Sequence, residues 1–413
     1  MVAIVGEFVR IEAVTNGINL FGMTPMKTAI ALLICASMLL MTTTIRAYHG
    51  HKHAGVYLVY VGTYTGGDSE GIYAFTFDSN TGELKPHGEV TKTVNPSFVD
   101  VHPNGKYLYA VNETVEYKGE KAGYITSFSI DQQSGALKEL NQQSTKGGAP
   151  CHLCIDYTGR TVMVANYVGG SVAAYRVQSD GSLSAPSSFV QHTGKSVHPR
   201  QEAPHGHSID VGPWNRFVAV SDLGLDKVLV YRLNPRKGTL TPGKYPFAKS
   251  EAGSGPRHFS FHRSGRFAYG INELNMTANA YKYNGRLGKL EPFQVVSTLP
   301  PNESQQDGHS TAEMYCHPSG KFVYGSNRGH DTIVVYSVDQ RTGKLTYVEN
   351  QDIGGETPRS FRIDPTGKYL LALGQSSSSI SVFEIDQDTG ALEPTGATVK
   401  CPTPVSAVFM PWR

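Results

Sequence analysis

The stretch Ser196–Val211 carries Arg200, Glu202, His205 and His207, an unusual density of cationic, acidic and imidazole groups. His205-x-His207 could ligate a metal if a third donor joined it. None stands at a recognisable spacing, so two alternate strand residues facing one side give the plainer account, and no metal is expected. Arg257-His258 and Arg359 each follow a proline elsewhere in the chain. A guanidinium there can hold a phosphate or carboxylate through two parallel hydrogen bonds, or can serve the fold by binding a neighbour's carboxylate. Arg257 is the better functional candidate, because His258 and Glu273 accompany it. Cys151-x-x-Cys154 has the spacing of a redox or zinc half-site, yet no second pair follows. On a strand an offset of three turns the two thiols to opposite faces, so no local bridge is expected. No Gly-x-Ser-x-Gly elbow or compelling Cys–His pair supplies a nucleophile. Chemistry here must use water, a general base and cationic stabilisation, without a cofactor.

Such residues need a scaffold, and an internal repeat supplies it. A Gly-x-Leu turn recurs at Gly82, Gly135, Gly181, Gly238, Gly288, Gly343 and Gly390, about 51 residues apart on average. A second phrase interleaves with it: a proline, a short strand, a turn holding Gly with Lys or Arg, then a strand ending near Asn or Asp. Residues 95–113, 149–167, 255–274 and 357–375 follow it, and 311–329 is a variation on it. Each unit reads as four strands, with β-branched and aromatic enrichment in segments such as Ile333–Val338. Seven such units predict an all-β, seven-bladed propeller. Residues 56–65 resemble a second strand with no first strand before them, and Pro404–Phe409 a first strand with no second after it. Pairing the two closes the ring and leaves no open edge.

Within a blade the first strand runs one way and the second returns. The loop before the first and the loop after the second therefore share a face. On that face collect His152, the insertion 194–207, Arg257, His258, His309 and Arg359 from the first set of loops. Glu113, Asn166–Tyr167, Asp222, Asn272–Glu273, Asn327–Arg328 and Gln375 come from the second. Polar loops on rigid strands around an axial funnel make a small-molecule site.

Composition agrees with this reading. The chain has 413 residues, 17% of them charged, with 44 Gly, 22 Tyr and a net charge of +2. That excludes a disordered or long-helix protein and gives no general basic footprint for nucleic acid. The segment 26–47 has a lysine, an apolar run Ala29–Met41, then small residues, the order of a secretory signal peptide. The run is too short to span a bilayer comfortably, so no stable membrane insertion is expected once it is removed. Residues 1–25 read as an upstream extension or a start assigned too early. The segment 48–55, with His49, His51 and His53, is a His-rich leader outside the site, and 56–413 is the propeller. The expected location is the periplasm or the exterior, or the cytoplasm if 26–47 is not a signal, with the mature chain a monomer.

Val59–Thr65, Ala149–Leu153, Pro204–Val211, Ser221–Tyr231, Gly255–His262 and Ser326–Gly329 together resemble the lactonase family of seven-bladed propellers. That family contains bacterial 6-phosphogluconolactonase and fungal carboxymuconate cyclase, and the likeness runs from Val56 to Phe409. It implies hydrolysis of a sugar-acid lactone bearing an anionic group. By position, the family's histidine falls on His152 and its arginines on Arg200 and Arg257. Its acid is open among Glu202, Asp222 and Glu273, with Asp222 placed first. His205, His207, His258, Glu273 and Arg328 are then expected to bind substrate. Phosphogluconolactone chemistry belongs with cytoplasmic sugar phosphates, whereas the leader points to export. An exported cyclase-like lactone-forming enzyme and a non-enzymatic periplasmic binding or interaction propeller are the alternatives.

Overall fold

Short runs of Val, Ile, Tyr and Phe, punctuated by glycine turns, form seven antiparallel blades, six of four strands and one with a short fifth, in the computed structural model, which describes residues 55–412. Blade I is Phe98–Val101, Tyr107–Asn112, Tyr124–Ile130 and Leu137–Ser144. Blade II is Pro150–Ile155, Thr161–Asn166, Ser171–Val177 and Leu183–Gln191. Blade III is Gly206–Val211, Phe217–Asp222, Lys227–Asn234 and Thr239–Lys249. Blade IV is Pro256–Phe261, Phe267–Asn272, Thr277–Asn284 and Lys289–Ser297. Blade V is Ser310–Cys316, Phe322–Arg328, Thr332–Val338 and Leu345–Asp352. Blade VI is Pro358–Ile363, Tyr369–Gly374, Ser379–Ile385 and Leu392–Lys400.

Blade VII joins the two ends of the propeller. Pro404–Pro411 lies antiparallel to Val56–Thr63, with Tyr60 opposite Val408, and Gly71–Asp78, Glu83–Pro86 and the short Thr91–Lys92 complete the sheet. The predicted closure is thus the observed one. The first strand of every blade packs on the first strand of the next, and the circuit returns from Pro404–Pro411 to Phe98–Val101. These seven strands are the innermost and line the axis. Seven apolar clusters lie between successive blades, so each blade completes its neighbour's core.

The Gly-x-Leu turns explain part of the glycine and tyrosine content. Gly181 adopts φ +86°, and a Cβ there would sit 2.2 Å from the Tyr107 ring of the preceding blade. Two residues further along that strand, the Tyr109 hydroxyl donates to the Gly181 carbonyl at 2.9 Å. The same hydrogen bond joins Tyr60 to Gly135, Tyr269 to Gly343 and Tyr324 to Gly390. A buried hydroxyl must find a partner, so each tyrosine fixes the spacing between two blades.

Candidate active site

The inner strands carry an irregularity that makes the site. In blade IV the pairing passes from Pro256 opposite Asn272 to His258 opposite Ile271, which leaves Arg257 as an extra residue. Cys151, His207, Arg359 and Val405 are the extra residues of blades II, III, VI and VII. A bulge of this kind re-aims the side chain it inserts. All five line one axial cavity with Ser97, Phe98, Glu113 and His258, and its empty volume is about 230 Å³ including the open mouth. The bulge also breaks the strict alternation expected of Cys151 and Cys154: Cys151 lines the cavity, and both thiols are free.

A second ring of residues comes from one position past the end of the second strands. Asn112, Asn166 and Asn272 end those strands and are buried, each amide donating to nearby loop or strand groups. Their successors Glu113, Tyr167 and Glu273 surround the mouth, together with Arg328 and Tyr64. Asp222 occupies the Asn position in blade III. Its Oδ2 is 2.6 Å from His192 Nδ1, and its Oδ1 accepts from the backbone N–H groups of His205 and Leu225. The structure therefore spends both oxygens of Asp222 on the backbone and on His192, and it is Glu273 that lies among the arginines.

Glu273 is the electrostatic centre. Its Oε1 is 2.7 Å from Arg200 Nη1 and 3.2 Å from Arg328 Nη2, and its Oε2 accepts from Arg257 Nε at 2.9 Å. Burial alone would raise its pKa, but the Arg328, Arg257 and Arg200 charges outweigh this and hold it at about 2. Arg257 is only 1% exposed, and its Nη1 also donates to the Ala312 carbonyl at 2.7 Å. Desolvation and the neighbouring Arg328 and Arg359 lower its pKa to about 10, still cationic at neutral pH. Across the cavity Arg359 donates to the Tyr64 hydroxyl at 2.7 Å, and Tyr64 donates to Glu113 Oε2 at 2.8 Å. Arg200, Arg257, Arg328 and Arg359 thus gather around Glu273 and Glu113, a guanidinium cluster suited to an anion.

Below the arginines sits a layer of imidazoles. His152 packs against Phe98 with the rings tilted and centroids 4.0 Å apart, and its Nδ1 accepts from the Ile209 backbone N–H at 3.3 Å. His258 meets His152 edge-on at 5.1 Å and His207 at 5.3 Å. His258 Nδ1 is 2.6 Å from Glu313 Oε1 of blade V, and Ser360 of blade VI donates to Glu313 Oε2 at 3.1 Å. Burial pulls all three imidazoles below their ordinary pKa, with Glu313 offsetting part of the effect at His258.

The insertion 194–207 reaches the mouth because Asp226 anchors it. The Asp226 carboxylate accepts from Ser196 and Gln201 of the insertion and from Gly253, Ser254 and Gly255 ahead of blade IV. One buried carboxylate therefore fixes the loops that carry Arg200 and Arg257. His205 stacks on Tyr167 at 4.6 Å, and its Nδ1 donates to the Tyr167 carbonyl. Tyr167 in turn accepts from Arg200 Nη2 at 2.9 Å. Glu202 lies at the exposed rim, 3.5 Å from His205.

Of the residues expected from sequence, His207, Arg257 and His258 line the cavity, and Arg200 and Arg328 join Arg257 through Glu273. His152 underlies them, His205 supports Tyr167, and Asp222 stands behind the insertion. Tyr64 and Glu313 carried no expectation of a role. Tyr64 follows the same one-past-the-strand rule as Glu273, a signal present in the repeat. Glu313 had no such signal, since its partner lies one blade away.

A closed ring of seven four-stranded blades with a cationic axial pocket defines a propeller hydrolase of the lactonase type. Residues 58–409 match the family model described as lactonase, 7-bladed beta-propeller, and the chain belongs to that family. It is 39% identical over 309 residues to 6-phosphogluconolactonase of Bacillus subtilis strain 168, covering 75% of this chain and 85% of that protein. A 6-phosphogluconolactonase of Formosa agariphila is 36% identical over 312 residues, covering 74% and 86%. Among solved structures, the periplasmic gluconolactonase of Pseudomonas aeruginosa aligns with a TM-score of 0.80 and 34% identity, over 86% of this chain and 99% of that one. No helix among the described residues is long and apolar enough to cross a membrane. The apolar run Ala29–Met41, read above as a signal, lies outside the described residues.

Proposed function

We propose that this chain hydrolyses an anionic sugar-acid lactone of the 6-phosphogluconolactone type. The observation that carries the reading is the excess of guanidinium over carboxylate around the cavity, with Glu273 ionised at its centre. The relatives named for phosphogluconolactone and gluconolactone hydrolysis support it. Water attacks the lactone carbonyl as a base of the imidazole layer takes its proton. Arg257, buried and aligned by Glu273, stabilises the tetrahedral oxyanion. Arg200, whose side chain is 46% exposed at the mouth, holds the anionic handle. The ring oxygen leaves as the hydroxyl of the product acid.

The leader and the likeness to a periplasmic enzyme support action outside the cytoplasm. Hydrolysis of 6-phosphogluconolactone, glucono-δ-lactone and carboxymuconate lactone by the purified chain, less the spontaneous rate, tests the reading. Acceleration of a sugar lactone supports it; acceleration of none overturns it. Fractionation with N-terminal mapping tests location: an intact chain in cytoplasm, still bearing Ala29–Met41, would overturn export.

A further inference from the structure

We propose that His258 is the general base of this site and that Glu313 is its positioning residue. The assignment rests on the lactonase reading above. Three imidazoles compete for the role, and their hydrogen bonds separate them. His152 Nδ1 accepts from the Ile209 backbone N–H, so the neutral ring carries its hydrogen on Nε2 and presents a donor there. It is also absent from the residues that border the cavity. His207 borders the cavity, but its Nδ1 lies 3.7 Å from the Cys151 sulfur and its Nε2 3.8 Å from Glu273 Oε2. Both oxygens of that carboxylate are taken by arginines, so nothing strong fixes its tautomer.

His258 differs on each count. It borders the cavity beside Arg257 and Arg359. Its Nδ1 is 2.6 Å from Glu313 Oε1, which also accepts from the Met314 backbone N–H, while Glu313 Oε2 accepts from Ser360. The Met314 N–H and the Ser360 hydroxyl both donate to this buried carboxylate, and the Arg257 charge lies near it, so it stays ionised and acts only as an acceptor. Nδ1 must then carry the hydrogen, and Nε2 keeps its lone pair. A carboxylate that fixes the imidazole tautomer and stabilises the imidazolium is the general arrangement by which histidine activates a weak nucleophile. The burial of Glu313, 2% exposed, keeps water from competing for that bond.

In the reaction, Nε2 takes a proton from water as the water oxygen bonds to the lactone carbonyl carbon. The carbonyl π electrons move to oxygen and are held by Arg257. On collapse the carbon–ring-oxygen bond breaks, and the imidazolium returns the proton to the departing alkoxide. One lactone and one water give one hydroxy acid, and His258 ends as it began.

The charged and titratable groups around His258 are Glu313, Arg257, Arg359, His152 and His207. Of these only Glu313 is hydrogen-bonded to the ring. His258→Gln should lower kcat by roughly 10²–10⁴-fold in a variant that still folds. Glu313→Gln keeps an acceptor for Nδ1–H but removes the negative charge. The acid limb of kcat/KM should therefore move to lower pH while KM changes little. Nitrogen-15 NMR of histidine-labelled wild type gives an independent reading: His258 should be protonated at Nδ1 and bare at Nε2 at neutral pH. A folded His258→Gln with wild-type kcat, an acid limb unmoved by Glu313→Gln, or a bare Nδ1 would each overturn the assignment. A wild type that accelerates no lactone would instead remove the functional reading, and this assignment with it.

Discussion

Arg257 Nε donates to Glu273 Oε2 at 2.9 Å in a place where the arginine is 1% and the glutamate 4% exposed. An ion pair this buried carries a large desolvation penalty and is tolerated because further donors complete it. Arg200 and Arg328 are those donors at Glu273 Oε1. The pair thereby holds a guanidinium rigidly beside the cavity, which is what stabilisation of a developing oxyanion needs.

Glu273 should dominate part of the acid limb of stability. Its folded pKa, about 2, lies below the ordinary glutamate value of 4.5. A depressed carboxyl pKa contributes stability that is whole above about pH 5 and lost as pH falls towards 2. The shift corresponds to about 3 kcal/mol. Glu273→Gln should lose roughly that much at neutral pH and flatten stability between pH 5 and 2. Added inorganic phosphate should restore part of the melting temperature by giving the arginines an anion. Denaturant midpoints across pH measure both effects.

Asp226 should behave as a structural hinge for the site. Asp226→Ala leaves five donors without their acceptor, and each unsatisfied buried donor costs about 1–3 kcal/mol unless water reaches it. Limited proteolysis should then cut within 194–204 in the variant before it cuts wild type. Lactone hydrolysis should fall because Arg200 and Arg257 lose their fixed approach.

Much of this was legible in the sequence, and the repeat was the reason. Gly-x-Leu at seven places gave the blade count, and the unmatched strands at Val56 and Pro404 gave the closure. The face that carries the site followed from strand direction alone. Register within that face was harder. Asp222 and Glu273 stand one position apart in the repeat, and only the pairing of Gly206 with Asp222 and Pro256 with Asn272 shows which ends a strand and which passes it. The bulge that turns Arg257 to the axis leaves no mark in residue type, because Cys, His, Arg and Val all occupy it. The His258–Glu313 contact spans 55 residues between blades, so neither blade read alone contains it.

The turns make a separate claim about stability. Gly181→Ala would place a Cβ 2.2 Å from the Tyr107 ring at φ +86°. Gly396→Ala has φ +80° with nothing within 4 Å. The second should cost about 1–2 kcal/mol for left-handed backbone alone, and the first roughly 1–3 kcal/mol more for overpacking. Equal melting temperatures for the two variants would contradict the inter-blade packing described.

The most direct measurement is the kcat/KM of wild type and Arg257→Gln for 6-phosphogluconolactone, followed by acid release with the spontaneous rate subtracted. The account predicts clear acceleration by wild type and a loss of about 10²–10³-fold in the variant, the scale of removing one oxyanion donor. A folded Arg257→Gln that hydrolyses the lactone as fast as wild type would contradict it.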